Sequence, residues 1–142
     1  MAQPVSTTVA LKVPYYDVDP MQIVWHGNYL KYFEAARHAL FKEHGADMQR
    51  YMEDTKYAFP VVRSTIKHIW PLKFDDEFTC MAVLKEARVR IVVDFEIKLV
   101  SNGKLCATGR TEQVAVRLPE MEMAFQIPEE VQKALSGNEQ LK

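Results

Sequence analysis

The chain has 142 residues and a formal charge of −1, with 48% apolar and 26% charged residues. That length fits one domain, 1–142, with a core of its own, and the balance is that of a globular chain rather than a disordered or lipid-embedded one. A charge this close to zero excludes a protein whose main task is to wrap nucleic acid, which needs a basic excess.

Thr7–Tyr15 predicts a first strand, because Val9, Leu11 and Val13 alternate with Thr8 and Lys12 before Pro14 closes it. The segment Asp17–Tyr29, DVDPMQIVWHGNY, is an unusual loop. From Asn28 the period changes, and Tyr29, Tyr32, Phe33, Ala36 and Leu40 recur at three- and four-residue steps. One amphipathic helix of about five turns is predicted, with Asn28 as its N-cap and Gly45 in the left-handed position past its last turn. Residues 46–57 form a polar connection with room for another helical turn. Strands follow at Val61–Trp70, Glu77–Glu86 and Val89–Val100; in the last, Val93, Phe95, Ile97 and Leu99 oppose Asp94, Glu96 and Lys98.

Asn102-Gly103 predicts a two-residue type I′ hairpin turn, with Leu105–Arg117 as the antiparallel partner. Its apolar parity slips, which places a bulge near Thr111–Gln113. Pro128 opens a short helix, and Ser136–Lys142 is expected to fray. One strand, a long helix and four more strands make an α+β pattern: a five-stranded antiparallel sheet wrapped on one helix.

Several chemistries lack their residues. None of the serines stands in a GxSxG elbow, and there is no phosphate loop, GxGxxG or HExxH. His38, His44 and His68 show no metal spacing and read as surface or satisfied histidines. Cys80 and Cys106 lack CxxC spacing and read as small buried hydrophobes of a reducing compartment. The N-terminus has no signal-peptide pattern and no apolar run reaches the roughly 18 residues of a membrane span, so a cytoplasmic protein without integral membrane contact is expected.

What remains is the loop. The amides of a first helical turn have no intrahelical partner and the helix dipole adds partial positive charge, so an oxyanion formed there is stabilised. Asp19, anionic at neutral pH, can act as a nucleophile or as a base for water. The blander reading is an Asp-Pro turn and an acid that merely favours a helix start. Asp17 is the competing acid.

Tyr16–Arg37, YDVDPMQIVWHGNYLKYFEAAR, closely resembles the signature of hotdog-fold acyl-CoA thioesterases of the 4-hydroxybenzoyl-CoA thioesterase type, including the branch found with bacterial Tol-Pal systems. The resemblance implies a hotdog fold and hydrolysis of an acyl-CoA to a carboxylic acid and free thiol. It puts the catalytic carboxylate on Asp19 and the thioester-carbonyl donor on the amide of His26, whose ring also reaches substrate, with Gly27 and Asn28 completing the oxyanion and substrate-binding turn. Glu34 reads as structural, paired with Arg37 or His38. Arg88 and Arg90, with Lys85, match basic positions for the phosphates of coenzyme A, while Val89 departs from a third. No metal or cofactor is implied, coenzyme A being part of the substrate, and a homodimer or homotetramer with its site at the subunit boundary is expected. The alternatives are an acyl carrier protein thioesterase, a hotdog hydratase or dehydratase, and a non-catalytic acyl-thioester binding subunit.

Overall fold

The computed structural model describes residues 5–136; the tail expected to fray lies almost wholly outside them. In chain order the elements are β1 (Ser6–Lys12), α1 (Tyr29–Glu43), α2 (Met48–Thr55), β2 (Tyr57–Ala58), β3 (Val61–His68), β4 (Glu77–Glu86), β5 (Ile91–Leu99), β6 (Leu105–Gln113), β7 (Val116–Arg117), β8 (Glu122–Met123) and α3 (Glu129–Ser136). An antiparallel five-stranded sheet runs β1-β4-β5-β6-β3, and α1 lies across one face of it. This is the α+β hotdog fold, with the short C-terminal helix α3.

The apolar stripe of α1 fixes how it sits. Phe33, fully buried, stacks on Phe95 of β5 with ring centroids 4.5 Å apart, and Tyr32 packs 4.9 Å from Phe78 of β4. Gly109 of β6 leaves room for this: a Cβ there would lie 2.3 Å from the Phe33 ring and 2.8 Å from the Thr65 carbonyl oxygen. The alternating residues of β4 and β5, among them Phe78, Cys80, Ala82, Val93 and Ile97, complete the core beneath the helix. The C-terminal stop of α1 is as expected, with Gly45 at φ 73°; its N–H donates to the Lys42 carbonyl at 3.2 Å, and the Ala46 N–H donates to that of Phe41 at 2.9 Å.

Several local expectations change. Asn28 does not cap α1: a 3₁₀ turn at His26–Asn28 already winds its backbone to φ −76°, ψ −16°, and its side chain makes no cap bond. The hairpin after β5 is longer than a two-residue turn. Only Gly103 is left-handed, at φ 70°; its N–H donates to the Leu99 carbonyl, and Asn102 Oδ1 accepts the Lys104 N–H at 2.9 Å. The irregularity expected in β6 is a register shift opposite it, between Val61 and Arg63 of β3, so the extra residue, Val62, belongs to the neighbouring strand. Beyond Gln113 the chain leaves the main sheet, and Val116–Arg117 joins β2 and β8 in a separate three-stranded sheet. No helix among the described residues is long and apolar enough to cross a membrane.

Candidate active site

The loop between β1 and α1 folds back on itself. Asp19 N donates to the Ile23 carbonyl at 2.8 Å, Val18 bridges Val24, and Trp25 N donates to the Asp17 carbonyl at 3.0 Å. Ile23 and Val24 are in turn tied to the segment before β4, through a bridge to Lys73 and a bond to the Leu72 carbonyl. The turn holding Asp19 is thereby clamped beside the entry to α1.

The two acids have opposite environments, because the 3₁₀ turn at Tyr15–Asp17 breaks the extended alternation that would put residues two apart on one face. Asp17 is buried at 2% exposure, where its carboxylate accepts the Tyr32 hydroxyl and the Lys31 ammonium, each at 2.6 Å. Its carbonyl oxygen also accepts the Asn28 side-chain amide at 2.9 Å, which is where the expected cap has gone. Burial, and then the bond to Asp17, push the Tyr32 phenol well above its ordinary value of 10.0. Asp17 is committed to holding the loop on the helix.

Asp19 is half-buried and far less occupied. Its Oδ1 accepts the Met21 N–H at 2.8 Å, as the turn reading expects, while among the described residues Oδ2 has no hydrogen-bond partner. Past the hairpin, the 3₁₀ turn consumes the N–H groups of Asn28 and Tyr29. Those of His26 and Gly27 find no acceptor among the described residues and remain available to an incoming oxygen. A free carboxylate oxygen on one arm of this clamped hairpin and free amides just past its other arm thus lie on one loop.

Around this turn lies an aromatic wall. The exposed His26 ring is 5.0 Å from Trp25 and 6.5 Å from His68, and His68 meets Tyr29 edge-on at 4.7 Å. His68, at the end of β3, escapes sequence reasoning because nothing in its neighbours marks it. Gly27 has a second reason to be glycine: a Cβ there would lie 2.1 Å from the Trp25 ring.

The remaining candidates lie elsewhere. Glu34 pairs with Arg37 at 3.0 Å, as its structural reading requires. Lys85, Arg88 and Arg90 surround the β4–β5 turn, at the opposite end of β4 from the Asp19 loop, and Arg90 is bound to Glu112 at 3.0 Å. A single protomer does not bring them to Asp19: β4 alone, at about 3.3 Å per residue, separates them by roughly 30 Å. Among the described residues no His, Cys, Asp and Glu side chains gather as a metal site.

Residues 13–135 match the family described as the thioesterase-like superfamily. The chain belongs to that superfamily. Within it, the acyl-CoA thioesterase YbgC of Haemophilus influenzae is 28% identical over 125 residues, which cover 87% of this chain and 90% of that protein. The acyl-CoA thioester hydrolase YbgC of Escherichia coli O6:H1 is 30% identical over 66 residues, 46% of this chain and 48% of its own. Among solved structures, a protein of Thermus thermophilus superposes with a TM-score of 0.80 at 28% identity, covering 92% of this chain and 95% of its own. A 1,4-dihydroxy-2-naphthoyl-CoA thioesterase from Synechocystis reaches a TM-score of 0.85 over 94% of this chain and 98% of its own, and its 22% identity speaks for the superfamily's fold alone.

Proposed function

We propose that this protein hydrolyses acyl-CoA thioesters. The observation that carries the reading is the joining, on one loop, of an Asp19 carboxylate with an unengaged oxygen in the hairpin and the unengaged amides of His26 and Gly27 in the turn that follows it. The thioester carbonyl is held by those amides. Asp19 either attacks the carbonyl carbon, giving an anhydride that water then opens, or takes a proton from the water that attacks. In both routes the carbonyl oxygen becomes an oxyanion facing the helix start, the C–S bond breaks, and the thiolate leaves to be protonated. One such preorganised donor is worth about 2.7–4 kcal/mol of barrier. The His26 ring lines the approach, and Asn28, bonded to the Asp17 carbonyl, keeps the turn in register with the loop.

The working unit in this reading is a dimer, with a tetramer as its further assembly. β3 is the sheet edge to pair: it is bare along that edge and nearly all its side chains are exposed, including Val61 and Val62. Such an edge is normally covered. Pairing β3 with its own copy also explains how Arg88, Arg90 and Lys85 can serve coenzyme A: they reach a site they do not share within their own chain.

The test is release of free thiol from a panel of aromatic, short and long straight-chain acyl-CoA and acyl carrier protein substrates, with enoyl-CoA absorbance followed in parallel. Thiol release at micromolar enzyme supports the reading. Hydration without thiol release, or binding without either, replaces it with a hydratase or a carrier subunit.

A further inference from the structure

The free amides of His26 and Gly27 lie between two bonds that share one acceptor. The carbonyl oxygen of Asp17 takes the Trp25 N–H at 3.0 Å and the Asn28 side-chain amide at 2.9 Å, one on either side of the pair. Two residues pinned at both ends have little freedom to turn their N–H groups away. The Trp25 ring restrains them further, since it occupies the place a Cβ on Gly27 would take.

The shared acceptor is itself held from the core. The Asp17 side chain, 2% exposed, accepts the Tyr32 hydroxyl on Oδ2 at 2.6 Å, and Tyr32 is 5% exposed with its ring seated on Phe78. The Lys31 ammonium on Oδ1 is half exposed, so the phenol is the fixed support of the two. Asp19 is held by other bonds: its N–H donates to the Ile23 carbonyl, its carbonyl accepts the Gln22 N–H at 2.9 Å, and its Oδ1 accepts the Met21 N–H. Tyr32 is therefore joined through Asp17 to the amide half of the site, while the carboxylate half has a support of its own. Both Tyr32 and Asp17 are buried and act only through the groups they hold.

Resting on the thioesterase reading above, we propose that Tyr32 and Asp17 are positioning residues: the Tyr32 hydroxyl fixes the Asp17 carbonyl, and that carbonyl aims the His26 and Gly27 amides at the oxyanion. A donor of this kind works within about 2.7–3.1 Å of the place the oxyanion will occupy, so a small displacement is felt in the transition state far more than in substrate binding. Without the hydroxyl, Asp17 Oδ2 loses its buried donor and the carboxylate is left to the mobile Lys31 alone.

The experiment compares wild type with Tyr32→Phe, Asn28→Ala and the double variant, each assayed at least about 10 °C below its own Tm. On the best acyl-CoA of the panel each single variant is expected to lose about 10- to 100-fold in kcat with KM within about threefold. The double variant is expected to fall no more than about threefold below the worse single one, because both changes act through one carbonyl. A second readout needs no turnover. In the Asp19→Asn protein saturated with carbonyl-¹³C hexanoyl-CoA or benzoyl-CoA, the amide donors move the carbonyl resonance downfield, and adding Tyr32→Phe is expected to remove most of that shift. If Tyr32→Phe does not fold, Asp17→Asn, which sets an amide against Lys31, takes its place with the same expectations. An unchanged kcat, a loss confined to KM, multiplicative losses in the double variant, or a carbonyl resonance left in place overturns the assignment. A wild-type protein that releases no thiol, while its Asp19→Asn form shows a shift that Tyr32→Phe removes, refutes hydrolysis and leaves the positioning role standing; an active wild type whose shift survives Tyr32→Phe refutes the positioning role alone, and absence of binding refutes both.

Discussion

At the scale of the residue, two aspartates two positions apart have been given different work. Asp17 is buried and bonded to Tyr32 and Lys31, so Asp17→Asn, which leaves Lys31 without its anion, is expected to cost about 1–3 kcal/mol of stability in denaturant titration. Asp19→Asn keeps the acceptor for Met21 N–H and is expected to shift stability by no more than about 0.5 kcal/mol. The resemblance of Tyr16–Arg37 to known thioesterases names Asp19, but the sequence does not carry the contrast: residues two apart on an extended segment share a face, and the 3₁₀ turn at Tyr15–Asp17 is what separates them. Nor does the sequence carry the fate of Asn28. An asparagine at a helix entry reads as a cap, and only the 3₁₀ turn before it frees the side chain to bind the Asp17 carbonyl. His68 is illegible for another reason: its place beside His26 and Tyr29 is made by tertiary packing across the sheet.

At the scale of the element, long periodic segments were readable and short ones were not. The stripe of α1 and the alternation of β4 and β5 each repeat often enough to fix a face, whereas β2, β7 and β8 are two residues long and have no period to read. The seat of α1 on the sheet gives a direct test. Phe33 is held between Phe95 and Gly109, so its ring cannot retreat from a new methyl group, and Gly109→Ala is expected to destabilise by about 1–3 kcal/mol through overpacking. Thermal unfolding checks it, and an unchanged Tm would show that α1 is free to lift.

At the scale of the whole molecule, pH and assembly each offer a handle. Burial pushes the Cys80 thiol up to about 12 from its ordinary 9.0 and raises Cys106 as well. A folded-state value above the unfolded one stabilises fully below the unfolded value and loses that contribution as pH rises through the interval. The urea midpoint should therefore decline from about pH 9 toward 12, with a shallower decline in Cys80→Ala, and neither thiol should react rapidly with a disulfide reagent in the native protein at pH 8. Assembly is tested on β3: Ser64→Asp, in the middle of the strand, places like charges on the two paired edges, and monomers in light scattering together with lost thiol release are the expected result. The most direct measurement of all compares kcat/KM for thiol release by wild-type and Asp19→Asn proteins of equal Tm on the best acyl-CoA of the panel. A loss of about 100-fold or more is predicted for removal of the reacting carboxylate; a variant within threefold of wild type would contradict the account.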